Sequence, residues 1–147
     1  QRQMCIRDRY QTDCRGISWE RVRDLLDIVG MSTVDVDKHR ISFEASHSVI
    51  FVFNDTVLIG FGRMISDGVR QSALYDIAVD PAYQGYRIGQ EIVTRLMSVT
   101  PGCNFILYAS PGKEGFYKKL NFKRMKTGMA YFINPERMLD GGFVEDE

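Results

Sequence analysis

The stretch Asp76-Ile-Ala-Val-Asp-Pro-Ala-Tyr-Gln-Gly-Tyr-Arg-Ile-Gly89 changes its period partway through, and that change decides the fold. Its first residues continue an apolar, β-rich run over residues 73–79. After Asp80-Pro81 come Gly85 and Gly89, and over residues 87–98 the apolar side chains Ile88, Ile92, Val93 and Leu96 recur at helical spacing. A buried strand therefore feeds a helix through a short glycine-bearing turn. The first N–H groups of such a helix have no partner inside it and carry the positive end of its dipole, so the turn suits an anion such as pyrophosphate. Gly85 and Gly89 keep side chains away from the backbone, and Arg87 adds a charge-assisted contact. A glycine pair here serves a plain tight turn equally well. The segment is not a Walker loop, because no Gly-Lys-Ser/Thr follows, nor a full dinucleotide fingerprint, because Gly-x-Gly-x-x-Gly is absent.

Upstream, Ser18 is placed to N-cap a helix carrying Val22, Leu25, Leu26 and Val29 on one face, with Gly30 ending it. Residues 33–45 read as a shorter, weaker helix. Residues 49–53 and 57–61, separated by Asn54-Asp55, read as an antiparallel hairpin. Ser66-Asp67-Gly68 then turns the chain into the strand at 73–79, completing a meander. Downstream, Pro101-Gly102 breaks the helix and residues 105–108 form a short strand, which a right-handed crossover makes parallel to the strand before the helix. Pro111-Gly112 opens a short helix through Leu120, and residues 125–132 read as a closing strand. The expected fold is α/β, a single domain over residues 10–135 with a mixed, mostly antiparallel central sheet flanked by helices. Residues 136–147 read as a polar, acidic tail.

The 147 residues are 44% hydrophobic, with nine Phe and seven Tyr, enough for one substantial core. Nineteen basic residues balance nineteen acidic ones. No basic face invites nucleic acid and no polybasic run invites a membrane, so a small-molecule partner fits better. Cys5, Cys14 and Cys103 form no Cys-x-x-Cys pair and have no ligand-spaced His, so they read as reduced thiols, with no metal expected. No apolar run approaches the roughly 20 residues a spanning helix needs, and a cytoplasmic protein is expected. Residues 1–9, Gln-Arg-Gln-Met-Cys-Ile-Arg-Asp-Arg, look like the translation of a sequencing adaptor read through from assembled environmental DNA. Setting them aside leaves 16 basic and 18 acidic residues.

The run Val79-Asp-Pro-Ala-Tyr-Gln-Gly-Tyr-Arg-Ile-Gly89 resembles the acetyl-CoA signature of GNAT N-acetyltransferases, Gln/Arg-x-x-Gly-x-Gly/Ala after a strand ending in Val. Phe116-Tyr-Lys-Lys-Leu-Asn-Phe122 resembles that family's second hallmark. The element order agrees over residues 17–132. The segments around residues 75–89 and 116–122 look closest to plastid serotonin-type and sugar-amine members, as in bacterial-type chains. There are three departures. Arg87 stands at the first signature glycine, Ser110-Pro111 replaces the usual Asn before the short helix, and Asn121 replaces the Gly of Leu-Gly-Phe.

The resemblance implies transfer of acetyl from acetyl-CoA to a primary amine of a small molecule by direct attack. Ile77, Ala78 and Val79 would bind the pantetheine arm and thioester carbonyl in a splayed gap between parallel strands. Gln84, Gly85, Tyr86, Arg87, Ile88, Gly89 and Gln90 would hold the pyrophosphate, and Ser110 and Tyr117 would line the cofactor's far side. Tyr117 matches the general acid that protonates the departing thiolate; the plainer alternative is a core aromatic beside Phe116. Asp76, a carboxylate in an apolar strand, must be paired or shifted in pKa. It is a candidate base or anchor for the amine, with pairing to Arg63 on the neighbouring strand as the alternative. Strand alternation would put Tyr75 and Ile77 on the face opposite Asp76.

His39 and His47 are expected to be solvated, Trp19 to pack half-buried, and Lys113, Lys118 and Lys119 to lie on a solvated helix face within reach of CoA phosphates. A protein or peptide acceptor, or a silent acyl-CoA sensor, are the competing functions, and a homodimer is left open.

Overall fold

The structure, a computed structural model, describes residues 8–146. It divides after Leu107 into two compact units.

The first unit holds β1 (Asp8–Gln11), α1 (Trp19–Ile28), α2 (Val36–Glu44), β2 (Ser48–Asn54), β3 (Val57–Ser66), β4 (Gln71–Val79), α3 (Ile88–Val99) and β5 (Asn104–Ile106). The strands form one sheet in the order β1-β2-β3-β4-β5, antiparallel except for the parallel β4–β5 pair. Ser18 caps α1 by accepting the Arg21 N–H at 3.2 Å. The helix ends in a Schellman turn: Gly30, at φ 84°, donates to Asp27 O, and Met31 donates to Leu26 O. α2 starts at Val36, three residues later than expected, because Asp35 supplies the non-helical entry.

Strand alternation sends β2 and β3 side chains to two cores. On one face Phe51, Phe61 and Val49 meet Phe43 of α2 and Val22, Leu25 and Leu26 of α1. Phe43, Phe51 and Phe61 are fully buried, with ring centroids 5.5–6.4 Å apart, each contributing roughly 1.5–3 kcal/mol of apolar burial. On the other face Ile88, Ile92 and Leu96 of α3 pack where Gly60 and Gly62 leave β3 bare. A Cβ on Gly62 would stand 2.6 Å from Ile77 Cδ1 and 2.9 Å from Ile92 Cγ2. Those two positions bring the signature helix against the sheet backbone.

β1 pairs with β2, Asp8 facing Asn54 and Arg9 facing Phe53. Asp8 and Arg9, read as adaptor-derived, therefore hold strand positions; strand pairing is made by backbone and accepts almost any sequence. The rest of that segment, with Cys5, lies outside the described residues. Cys14 and Cys103 are free thiols. No described helix is long and apolar enough to cross a membrane.

The second unit holds α4 (Glu114–Lys119) and α5 (Pro135–Asp140) and no strand among its described residues. The strand expected at 125–132 does not form. Met129, Tyr131 and Ile133 are 95–101% exposed, so the alternating pattern is there but no neighbouring edge pairs with it. The tail expected at 136–147 instead contains α5, N-capped by Asn134 and closed by Gly142 at φ 82°. Phe143 then packs edge-on against Tyr108, with centroids 6.0 Å apart.

Candidate active site

The parallel pairing of β4 with β5 covers only Gln71, Ser72 and Ala73. β4 continues to Val79 with no partner on that edge among the described residues, which is a splay within the sheet. Asp80 N–H donates to Ile59 O at 2.7 Å, toward β3. Strand alternation then turns the N–H and C=O of Val79 to the opposite, unpaired edge. The side chain of Gln84 reaches the Val79 carbonyl from there, at 3.4 Å.

From the end of β4 the chain makes one 3₁₀ turn, Pro81–Tyr83, started by Asp80, whose Oδ1 accepts the Ala82 N–H at 2.9 Å. Its Oδ2 receives Arg21 at 2.8 Å, and the same guanidinium donates twice to Leu58 O. Arg21 thereby ties α1 to the ends of β3 and β4. Gly85 follows at φ 91°, exposed, with open space where a Cβ would project. Arg87 then begins α3 at φ 65°, ψ 22°, with no side-chain cap. Arg87 has taken the left-handed conformation that glycine supplies in the signature, at a local cost of about 1–2 kcal/mol for a residue with a Cβ. The loop shape thus survives the departure, and the exposed Arg87 side chain stands beside the bare start of α3. Gln84 and Gln90 are exposed, Tyr86 and Gly89 half-buried, and Ile88 is core.

Asp76 sits at φ 56° in the middle of β4. Register with β3 shifts between Phe61 and Arg63, so that Asp76 and Ile77 together oppose Gly62. This bulge breaks the alternation expected from sequence. Tyr75 and Asp76 both turn to Arg63: its Nε donates to Asp76 Oδ2 at 2.7 Å, and its guanidinium lies 5.3 Å from the Tyr75 ring centre. Ile77 goes to the α3 face instead, against the gap at Gly62. Arg63 also lies 5.7 Å from the Phe43 ring centre and donates to Ser46 Oγ at 3.4 Å. The pair is mostly buried, with side-chain exposures of 16% and 22%.

His39, expected on the surface, is buried at 5% exposure. Its Nε2 accepts the Val34 N–H at 3.1 Å. Burial pushes its pKa below the usual 6.5, Asp76 pulls it back up, and Arg63 and Arg23 push it down further. A lone His within a nine-residue helix carries no sequence signal for this; only the packing of α2 against β3 reveals it. His47 is exposed, its Nδ1 2.8 Å from Ser48 Oγ. Trp19 is half-buried against Phe43 and Phe51.

In the second unit, Tyr117 lies on α4 with its ring 4.9 Å from Phe116 and 5.7 Å from Phe122. Burial raises its pKa to about 12. Asn121, at φ 71°, closes α4 in a Schellman turn: its N–H donates to Lys118 O and that of Phe122 to Tyr117 O. The Asn-for-Gly departure is therefore accommodated. The Ser110 carbonyl accepts the Lys113 N–H at 2.9 Å. Lys113, Lys118 and Lys119 are exposed. The first unit brings together Asp76, Ile77, Ala78 and Val79 with the loop from Gln84 to Gln90; Ser110 and Tyr117 belong to the other unit.

A mixed sheet that splays along its parallel strands, beside a helix whose first turn is bare, defines the acyl-CoA N-acyltransferase class. A family profile for an acetyltransferase (GNAT) domain matches residues 46–124, more than half of the chain. The chain is 27% identical over 129 residues to the chloroplastic GCN5-related N-acetyltransferase 1 of Arabidopsis thaliana, covering 83% of this chain and 66% of that protein. It is 36% identical over 86 residues to the chloroplastic serotonin N-acetyltransferase 2 of Oryza sativa subsp. japonica, covering 54% and 43%. The chain thus spans less than two thirds of the length of both relatives. A GNAT-family acetyltransferase of Streptococcus pneumoniae superposes with a TM-score of 0.72 at 19% identity, covering 85% of this chain and 97% of that one. The chain belongs to the GNAT acetyltransferase family, whose members are acetyl-CoA-dependent acyltransferases.

Proposed function

We propose that this chain moves acetyl from acetyl-CoA to a primary amine of a small molecule by direct attack. The observation that carries the reading is the splay, in which β4 outruns β5 by six residues and leaves Val79 facing an open edge next to the α3 start. A pantetheine arm is an extended chain with amide groups, and an unpaired strand edge is its natural partner. Val79, with Ile77 and Ala78 around it, holds the arm and polarises the thioester carbonyl. Gly85, Tyr86, Arg87, Ile88 and Gly89 present backbone N–H groups to the pyrophosphate, with Gln84 and Gln90 at the rim.

The amine enters from the side of β4 that carries Asp76. Asp76 binds the incoming ammonium group and takes its proton, since only the neutral amine attacks. The N–C bond forms and the C–S bond breaks; the acylated nitrogen gives its remaining extra proton to water, the thiolate receives a proton from Tyr117, and solvent returns Tyr117 to the phenol and takes the proton held by Asp76. With a pKa near 12, Tyr117 stays protonated throughout the working range. A thiolate of ordinary basicity, about 8.5, does not need full transfer in the transition state, so a hydrogen bond from the phenol suffices. Serotonin-like arylalkylamines head the acceptors to test, from the name of the rice relative.

Free-thiol release with acetyl-CoA and an amine panel tests the reading. Tyr117→Phe is expected to lower kcat about 100-fold with little change in acetyl-CoA affinity. Unchanged turnover would remove Tyr117 from the mechanism. Acetyl-CoA binding with no turnover on any amine would make the chain a sensor, and turnover on peptides alone would change the acceptor class. The protonated phenol is the working form, so activity is retained as pH rises through 10. A decline of kcat with an apparent pKa near 10 would show that Tyr117 is not buried in the complex.

A further inference from the structure

We propose that His39 is a positioning residue on the amine side of the site: it latches the connection between α1 and α2 to the start of α2, the helix whose Phe43 lies 5.7 Å from the Arg63 guanidinium and beyond whose end Ser46 accepts from Arg63, and protonating its Nε2 opens the latch. Residues 29–35 join the two helices without regular structure. The Val34 N–H within that stretch is fixed by His39 Nε2 at 3.1 Å, five residues on and already in α2. Because Nε2 accepts, the ring is neutral with its proton on Nδ1. A second proton would set N–H against N–H and break the contact outright.

The charges that act on the ring come from three other elements: Arg23 from α1, Arg63 from β3 and Asp76 from β4. Two cations and one anion, with the anion already engaged by Arg63 at 2.7 Å, make a setting that favours the neutral ring. The folded-state pKa lies below the ordinary 6.5, so the latch is closed above pH 6.5 and is lost as pH falls through the folded value. In the site as read above, the residues it affects are on the Asp76 side, where the amine enters, not on the cofactor side formed by Val79 and the α3 start.

The kinetic arm of the test rests on the acetyl-transfer reading; the spectroscopic arm does not. His39→Gln keeps a carbonyl oxygen that can accept the Val34 N–H but does not titrate. The ratio of acceptor KM values, wild type over H39Q, cancels the amine's own titration. It is expected to be near one at about pH 7.5 and to rise, with the acetyl-CoA KM ratio flat, as pH falls through the His39 titration that the imidazole spectrum reads. A flat acceptor ratio overturns the proposal, as does an equal rise in both ratios.

Independently of any acceptor, imidazole and amide ¹⁵N spectra of the wild type should show the Val34 amide losing exchange protection in step with His39 protonation. Val34 protection that persists while His39 titrates would overturn the latch. So would a ring that stays neutral until the whole protein unfolds, and this arm holds even if H39Q does not fold.

Discussion

Two Arg–Asp pairs, one inside β4 and one just past its end, look alike on geometry and differ in what surrounds them. Arg63–Asp76 and Arg21–Asp80 are closed at 2.7 and 2.8 Å, and both are largely buried. Asp80 sits in ordinary backbone, caps the 3₁₀ turn at Ala82, and binds an arginine that is also spent on Leu58 O. Both carboxylate oxygens of Asp80, and Nε and Nη2 of Arg21, do structural tasks. Asp76 sits at positive φ on a bulge, and its pair joins elements that already share the core. A strained backbone in a central strand persists only where something else favours it. The contrast separates a clamp on the turn between β4 and α3 from a carboxylate that, in the function proposed above, faces the acceptor.

The largest expected effect tests the second half of that contrast. Asp76→Asn keeps an acceptor for Arg63 and a residue type tolerant of positive φ, so stability should fall by only about 1 kcal/mol. Turnover should fall about 100-fold, because the neutral amide neither binds the ammonium nor takes its proton. Steady-state kinetics beside a thermal melt read both numbers. If activity survives, Asp76 is a second clamp and the amine's proton leaves by another route.

The reverse pattern is expected at the other pair. Asp80→Ala removes the Ala82 cap and strands a mostly buried Arg21, for roughly 2–3 kcal/mol of stability and a melting temperature lower by about 4–12 °C. The folded fraction should keep kcat within about threefold. A large loss of kcat at unchanged melting temperature would break the comparison.

Legibility followed the same division. The α1 cap at Ser18, the meander and the strand-to-helix junction were readable because local chemistry and period agree there. The splay follows from where β5 starts pairing, which no pattern states, though the resemblance implied it. Asp76 beside Arg63 was one of two open readings, but its neighbour Tyr75 was placed on the wrong face, since a one-residue bulge reverses alternation and leaves no mark in composition. His39 was missed because burial of a helix position is decided by what packs over it. The strand expected at residues 125–132 failed for the opposite reason: Met129, Tyr131 and Ile133 alternate correctly, but alternation describes one strand and a sheet requires two.

The smallest expected effect separates backbone from side chain at Arg87. Two contributions coincide there: a left-handed backbone that glycine would adopt freely, and a guanidinium beside the α3 start. Arg87→Gly removes both the strain and the charge, whereas Arg87→Ala removes the charge and keeps the strain. If the side chain contacts CoA phosphates, both variants should raise the acetyl-CoA KM by a similar factor, about threefold, and both should lose part of its salt dependence. If backbone shape is what matters, the two should part on stability, R87G melting above R87A by about 2–8 °C, with equal KM values near wild type. The signature reading requires the stability difference in either case, because the left-handed start of α3 is what aims its first N–H groups at the anion. R87A as stable as R87G would mean that the loop relaxes without the glycine-like turn, and the pyrophosphate site would then rest on the helix end alone.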